Sequence, residues 1–147
     1  MQLGDLLRIP TLSSLTPLRI DTSAEVDRVI GVPGGVRAAG LRLIRELGTC
    51  LVLLDPVAEY GVLFDVFLRR CERMGVTTLI FSAAREPDRG TLALSSRLGV
   101  SLLESEDPWA VSVALHEQLG VSDARSVQLA EGVARLASAR GIGLSEL

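Results

Sequence analysis

Four polar side chains stand where a parallel sheet would present them to a ligand. Asp55 follows the apolar run Cys50-Leu51-Val52-Leu53-Leu54, Ser82 follows Thr78-Leu79-Ile80-Phe81, Glu104 follows Val100-Ser101-Leu102-Leu103, and Arg85 lies in the loop after Ser82. Ligands of open α/β sheets bind outside the carboxyl ends of the strands, where the strand order switches, so these four form a candidate ligand-binding set. Each also has a plainer role. Asp55 before Pro56 fits a helix N-cap, Ser82 a turn and Glu104 a solvated carboxylate, and both readings stay open on sequence alone. Covalent and acid–base chemistry is poorly provided for. His116 is the single histidine, and its place between Leu115 and Leu119 reads as the surface or boundary of a helix. Cys71 falls on an apolar helical stripe and reads as core. Two cysteines and one histidine give no metal-ligand spacing. No lysine occurs, which removes Schiff-base chemistry and a phosphate-loop lysine. Pro33-Gly34-Gly35 matches neither the dinucleotide fingerprint nor the Walker pattern and reads as a turn. The expectation is a protein with no catalytic residues, no cofactor and no metal.

Composition agrees with a folded chain and speaks against a nucleic-acid binder. The chain has 147 residues, 15 basic (all arginine) against 18 acidic, for a net charge of −3. Its pI is near 5.2 and its mean hydropathy +0.37. An acidic surface disfavours phosphate neutralisation, and the hydropathy excludes a disordered chain. No apolar run reaches the roughly 18 residues that a membrane helix needs. The opening Met1-Gln2-Leu3-Gly4-Asp5 lacks the basic and apolar regions of a signal peptide. A cytoplasmic location with reduced thiols is expected.

These candidate residues must be positioned by the surrounding elements. Leu3, Leu6 and Leu7 share one face of a short helix closed by Pro10. Leu18-Arg19-Ile20 and Val29-Ile30-Gly31-Val32 read as strands. Residues 38–47 read as a helix stopped by Gly48. Cys50–Leu54 reads as a strand buried on both faces. Leu63, Val66, Phe67, Cys71 and Met74 mark the apolar face of the next helix, which Gly75 ends. The unit then repeats: a strand at 78–81, a helix carrying Leu92, Leu94 and Leu98 closed by Gly99, and a strand at 100–103. Asp107-Pro108 repeats the cap-then-proline signal before a helix carrying Val111, Leu115 and Leu119. Alternating strands and helices at this spacing predict an α/β fold, a doubly wound, mostly parallel sheet with flanking helices.

The tail is expected to differ. Residues 1–120 read as the α/β domain and 121–147 as a C-terminal segment, with a long helix from 123 to 140. Leu129, Val133 and Leu136, with Ala130, Ala134 and Ala137, form a wide apolar arc along it. Such an arc serves either packing onto the domain or a helix–helix homodimer.

Two families share features with these residues. Leu53-Leu54-Asp55 and Phe81-Ser82-Ala83 resemble the phosphoacceptor and hydroxyl positions of receiver domains. The acidic pair that holds Mg²⁺ there is replaced by Val32-Pro33-Gly34-Gly35, and the lysine is missing, so this resemblance implies at most a degenerate, non-phosphorylated relative. The second resemblance runs through nearly the whole chain. Leu3-Gly4-Asp5-Leu6-Leu7-Arg8-Ile9-Pro10-Thr11-Leu12, Val26–Pro33, Leu47–Leu54, Phe67–Val76 and Leu98–Glu104 resemble, in order, the N-terminal domain of PucR-type (purine catabolism regulator-like) transcription regulators. Leu54-Asp55-Pro56 stands where that family typically has Thr-Thr-Gly. The resemblance implies a bacterial regulatory domain that senses a small-molecule effector, works as a homodimer, and reaches DNA only through a helix-turn-helix beyond this chain, with no membrane partner. A purely structural dimerisation domain without a ligand is the alternative.

Overall fold

The computed structural model describes residues 1–33, 47–58 and 60–119. Residues 38–46 of the helix expected at 38–47, Gly34-Gly35 of the turn, and the C-terminal segment with Leu129, Val133 and Leu136 lie outside the described residues.

Five strands form one sheet, β1 (Thr16–Arg19), β2 (Arg28–Val32), β3 (Thr49–Leu53), β4 (Val76–Phe81) and β5 (Ser101–Glu104), in the order β1-β5-β4-β3-β2. The four strands β2 to β5 are parallel, and β1 pairs antiparallel with β5 at one edge. Pro17 sits in that edge strand, where its missing N–H removes no ladder bond from the sheet interior. The mostly parallel α/β sheet is as expected, but the strand order is not that of a doubly wound sheet. From β2 to β5 each strand lies beside its predecessor, so the order never reverses among the parallel strands. The candidate residues are therefore gathered by the shared carboxyl edge alone and not by a switch-point crevice.

Three layers result because strand side chains alternate between two buried faces. On one face Leu51, Leu53, Leu79, Phe81 and Leu102 meet helix α2 (Val62–Arg73) and helix α3 (Arg89–Leu98) through Phe64, Phe67, Leu68, Cys71 and Leu94. On the other face Cys50, Val52, Ile80 and Leu103 meet helix α4 (Pro108–Leu119), the short N-terminal helix α1 (Leu3–Leu6) and a 3₁₀ turn at Pro10–Leu12. All five residues of β3 are buried, as the unbroken apolar run predicts.

The two Asp-Pro signals turn out differently. Asp107 caps α4, its carboxylate accepting from the Ala110 N–H at 3.2 Å, with Pro108 as first helical residue. Asp55 does not cap α2. Val57 instead extends the sheet edge, pairing with Ala83 and donating its N–H to the Ser82 carbonyl at 2.7 Å. The helix starts only at Val62, after Gly61 at φ +111°, a backbone conformation that glycine adopts without a Cβ penalty. The apolar face of α2 is rotated from its expected position as well. Phe64, Phe67, Leu68 and Cys71 are buried, whereas Leu63 and Val66 are 48% and 49% exposed. Phe64 decides the rotation, because its ring packs edge-on against Phe81 at 5.5 Å and Tyr60 at 5.1 Å.

Candidate functional site

The carboxyl ends of β3, β4 and β5 lie on one edge because the strands are parallel and in register, with Val52 opposite Ile80 and Phe81 opposite Glu104. Beyond β4 the chain is held on both sides. Val57 bonds the Ser82 carbonyl on the β3 side, and the Ser105 N–H donates to the Phe81 carbonyl at 2.9 Å on the β5 side. Ser82 and Glu104 are thereby held at the same end of the sheet, each half-buried. Asp55, also half-buried, stands two residues beyond β3 on the same edge. Arg85 belongs to the loop above, with its side chain exposed.

Tyr60 joins this set, although no periodic or motif signal in the sequence marks it. It lies between the extension of β3 and the start of α2, half-buried, its ring 6.3 Å from Phe81. Its hydroxyl donates to the Arg85 carbonyl at 2.9 Å, tying the loop to the sheet edge. Burial first, and then the carboxylates of Glu104 and Glu86, push the phenol up to about 12. Tyr60 thus stays protonated at neutral pH and keeps donating to Arg85. Arg85 enters the site through its backbone carbonyl more firmly than through its guanidinium.

The edge is rich in acceptors. Glu104 and Glu86 lie near enough to Tyr60 to bias its titration, and Asp55 adds a third carboxylate. Two helix N-termini are closed by the chain's own carboxylates, whereas α2 starts from Gly61 without a side-chain cap. Asp88 accepts from the Thr91 N–H at 2.8 Å at the start of α3, and Asp107 does the same at α4. The Thr91 N–H and hydroxyl hold the Asp88 carboxyl below its ordinary value. Such an edge suits a neutral or cationic ligand that offers N–H donors better than a phosphate.

Among the described residues the single histidine and both cysteines lie in the core. His116, expected at the surface or boundary of a helix, is buried on α4, 8% exposed, with Nδ1 donating to the Ser112 carbonyl at 2.8 Å. A wide run of small and apolar residues around Ser112 and Leu115 lets α4 sink into its layer and takes the ring with it. Burial pushes both Cys50 and Cys71 up to about 12, which keeps them protonated and inert at neutral pH. Among the described residues no group of three or more His, Cys, Asp or Glu side chains is placed to hold a metal ion, and no helix is long and apolar enough to cross a membrane. No family model, no curated protein and no solved structure matches this chain.

Proposed function

We propose that this chain is the effector-sensing regulatory domain of a bacterial, cytoplasmic PucR-type transcription regulator and not an enzyme. What supports this reading is that Asp55, Ser82 and Glu104 stand at or just beyond the carboxyl ends of three parallel strands, with Tyr60 bonded to the loop that holds Arg85. A ligand that engaged Glu104 or Ser82 would act on the same loop that Tyr60 anchors. Signalling then needs only that it bind one arrangement of this loop better than another. In this reading the segment 123–140, with Leu129, Val133 and Leu136, conveys the bias and joins two copies. DNA is reached through a helix-turn-helix beyond this chain, as the net charge of −3 accords with.

Thermal denaturation against a panel of nitrogen-containing metabolites tests the reading. A ligand that binds only the folded chain raises the melting temperature with concentration. The shift is expected for an N–H-donating metabolite and is lost in Glu104→Gln and Ser82→Ala. A panel in which nothing shifts the transition, or a shift that survives both substitutions, overturns sensing at this edge. The first of those results leaves a structural dimerisation domain as the function.

A further inference from the structure

The two edges of the sheet are finished differently. At β1 the strand is four residues long, contains Pro17, and slips its ladder to β5 between Pro17 and Arg19. Shortness, proline and an irregular ladder are means by which a sheet edge is kept from pairing with another chain. Strand β2 has none of them. Its five residues, Arg28–Val32, pair with β3 in unbroken register and include no proline. Its one charged side chain, Arg28, is turned toward the β3 side, where the guanidinium donates to the Leu47 carbonyl at 2.6 Å.

The ladder fixes which backbone groups of β2 are left over. In a parallel pair the N–H and C=O of one residue point to the same neighbour, and those of the next residue point away. The Arg28 N–H donates to the Gly48 carbonyl at 3.4 Å, and the Val32 carbonyl accepts from the Leu54 N–H at 2.9 Å. Arg28, Ile30 and Val32 thus face β3. Val29 and Gly31 face outward, and their N–H and C=O groups have no partner among the described residues. Val29 and Ile30 are only 3% exposed, one in each core, so packing on both faces holds the strand in place while its outer edge stays open.

From this we infer that β2 is the docking edge for a second copy of this chain, whose own β2 adds antiparallel and joins the two sheets into one. Self-complementarity identifies the occupant. A two-fold axis at Ile30 sets Val29 opposite Gly31 of the second copy, and Gly31 opposite its Val29. Each pair exchanges both hydrogen bonds, and every outward group of both strands is used. An axis at Gly31 would set Val29 opposite Pro33, which has no N–H to give. An axis at Val29 would set Gly31 opposite Asp27, whose N–H is already taken by the Gly48 carbonyl at 2.8 Å. With the axis at Ile30 no like charges meet, because Arg28 falls opposite Val32. Helix α4 packs across β2 and β3, so the joined sheet brings its two copies side by side on one face. Beyond its buried stripe α4 still carries Val113 and Ala114 half-buried, more apolar surface than contact with one sheet uses. The seam is short, so the dimer is weak and concentration-dependent. This inference does not depend on effector sensing and concerns a different surface from the arc at 129–136.

Sedimentation and residue-resolved amide hydrogen exchange of the full chain, both over a wide concentration range, test it. The mass is expected to rise from monomer toward twice that value. The Val29 and Gly31 amides are expected to slow at least about tenfold over the same range, while that of Ile30, already bonded to β3, does not follow concentration. Gly31→Pro removes only an outward N–H, which costs β2 no bond to β3, and is expected to stay monomeric. A wild type that remains monomeric overturns the inference. So does a dimer in which the Val29 and Gly31 amides stay fast, or one that Gly31→Pro leaves intact, since association then belongs to another surface such as residues 129–136. Amides that are slow at every concentration overturn it as well, by showing that another part of the same chain covers the edge. Should Gly31→Pro fail to fold, the exchange of the wild type alone decides.

Discussion

Three side chains in this fold are held in their neutral form, and together they set its alkaline limit. Burial pushes Cys50 and Cys71 up to about 12, and burial with two carboxylates does the same to Tyr60. In an unfolded chain thiols ionise near 8.5 and the phenol near 10. A group whose folded value is raised contributes stability that is complete below its unfolded value and is lost as pH climbs toward the folded one. Stability should therefore be flat from neutral pH to about 8.5 and fall steadily above it, as denaturant midpoints measured across that range would show. Tyr60 is the only tyrosine, so its phenolate absorbance reports one site. Its midpoint should lie near 12, and Glu104→Gln should lower it only part of the way toward the ordinary value, because burial is the larger cause. An unchanged midpoint in that variant would remove Glu104 from the vicinity of the ring. The same burial makes both thiols inert to an aromatic disulfide reagent at pH near 8 until the chain unfolds, when both should react. A fast native reaction of either would contradict its placement in the core.

Elements in this chain end where a residue type makes continuation costly, and most of these ends could be read from sequence. Gly99 closes α3 at φ +74°, with its N–H bonded to the Ser96 carbonyl, and a Cβ there would meet nothing within 4 Å. The whole penalty of a substitution is then backbone strain. Gly99→Ala should cost about 1 kcal/mol of stability, and Gly99→Asn clearly less, since Asn tolerates the left-handed region. Equal losses from both in chemical denaturation would mean that space, and not φ, is what the site demands. The strands β3, β4 and β5, the helix closed by Gly99 and the cap at Asp107 were legible because each depends on a short local signal. The start and rotation of α2 were not. Asp55-Pro56 carries the same local signal as Asp107-Pro108, but Val57 is drawn into pairing with Ala83, a partner 26 positions away that no local rule contains. Leu63 and Val66 lie on a plausible apolar stripe, yet the rings of Phe64, Phe81 and Tyr60 cluster and turn the helix toward a different one. Of the candidate site, Asp55, Ser82 and Glu104 follow from strand ends. Tyr60 does not, because its role rests on a hydrogen bond to a backbone carbonyl in another loop.

The molecule as a whole is a sheet with a separate core on each face. One carries α2 and α3. The other relies in part on the first fifteen residues, which contain only a four-residue helix and a single 3₁₀ turn. A helix that short has no stability of its own. It is held from outside, by the Leu3 N–H on the Ala24 carbonyl at 2.8 Å, the Gly4 N–H on Thr22 at 2.9 Å and the Val26 N–H on Met1 at 2.7 Å. Leu3, Leu6 and Leu12 are each no more than 2% exposed as a result. The segment is thus a structural wall and not a tail. Leu6→Ala should then cost about 2–5 kcal/mol, as for a fully buried leucine, where a surface change would fall within about 0.5. Because β3, β4 and β5 contribute side chains to both cores, loss on one face should unfold the other with it. Trp109 packs with the N-terminal leucines and Tyr60 with the opposite cluster, and each is the only residue of its type. Trp109 fluorescence and Tyr60 near-ultraviolet dichroism should therefore report one coincident transition, in the wild type and in Leu6→Ala alike. A Trp109 transition that precedes that of Tyr60 would mean that the N-terminal face opens by itself and that the molecule is two cooperative units.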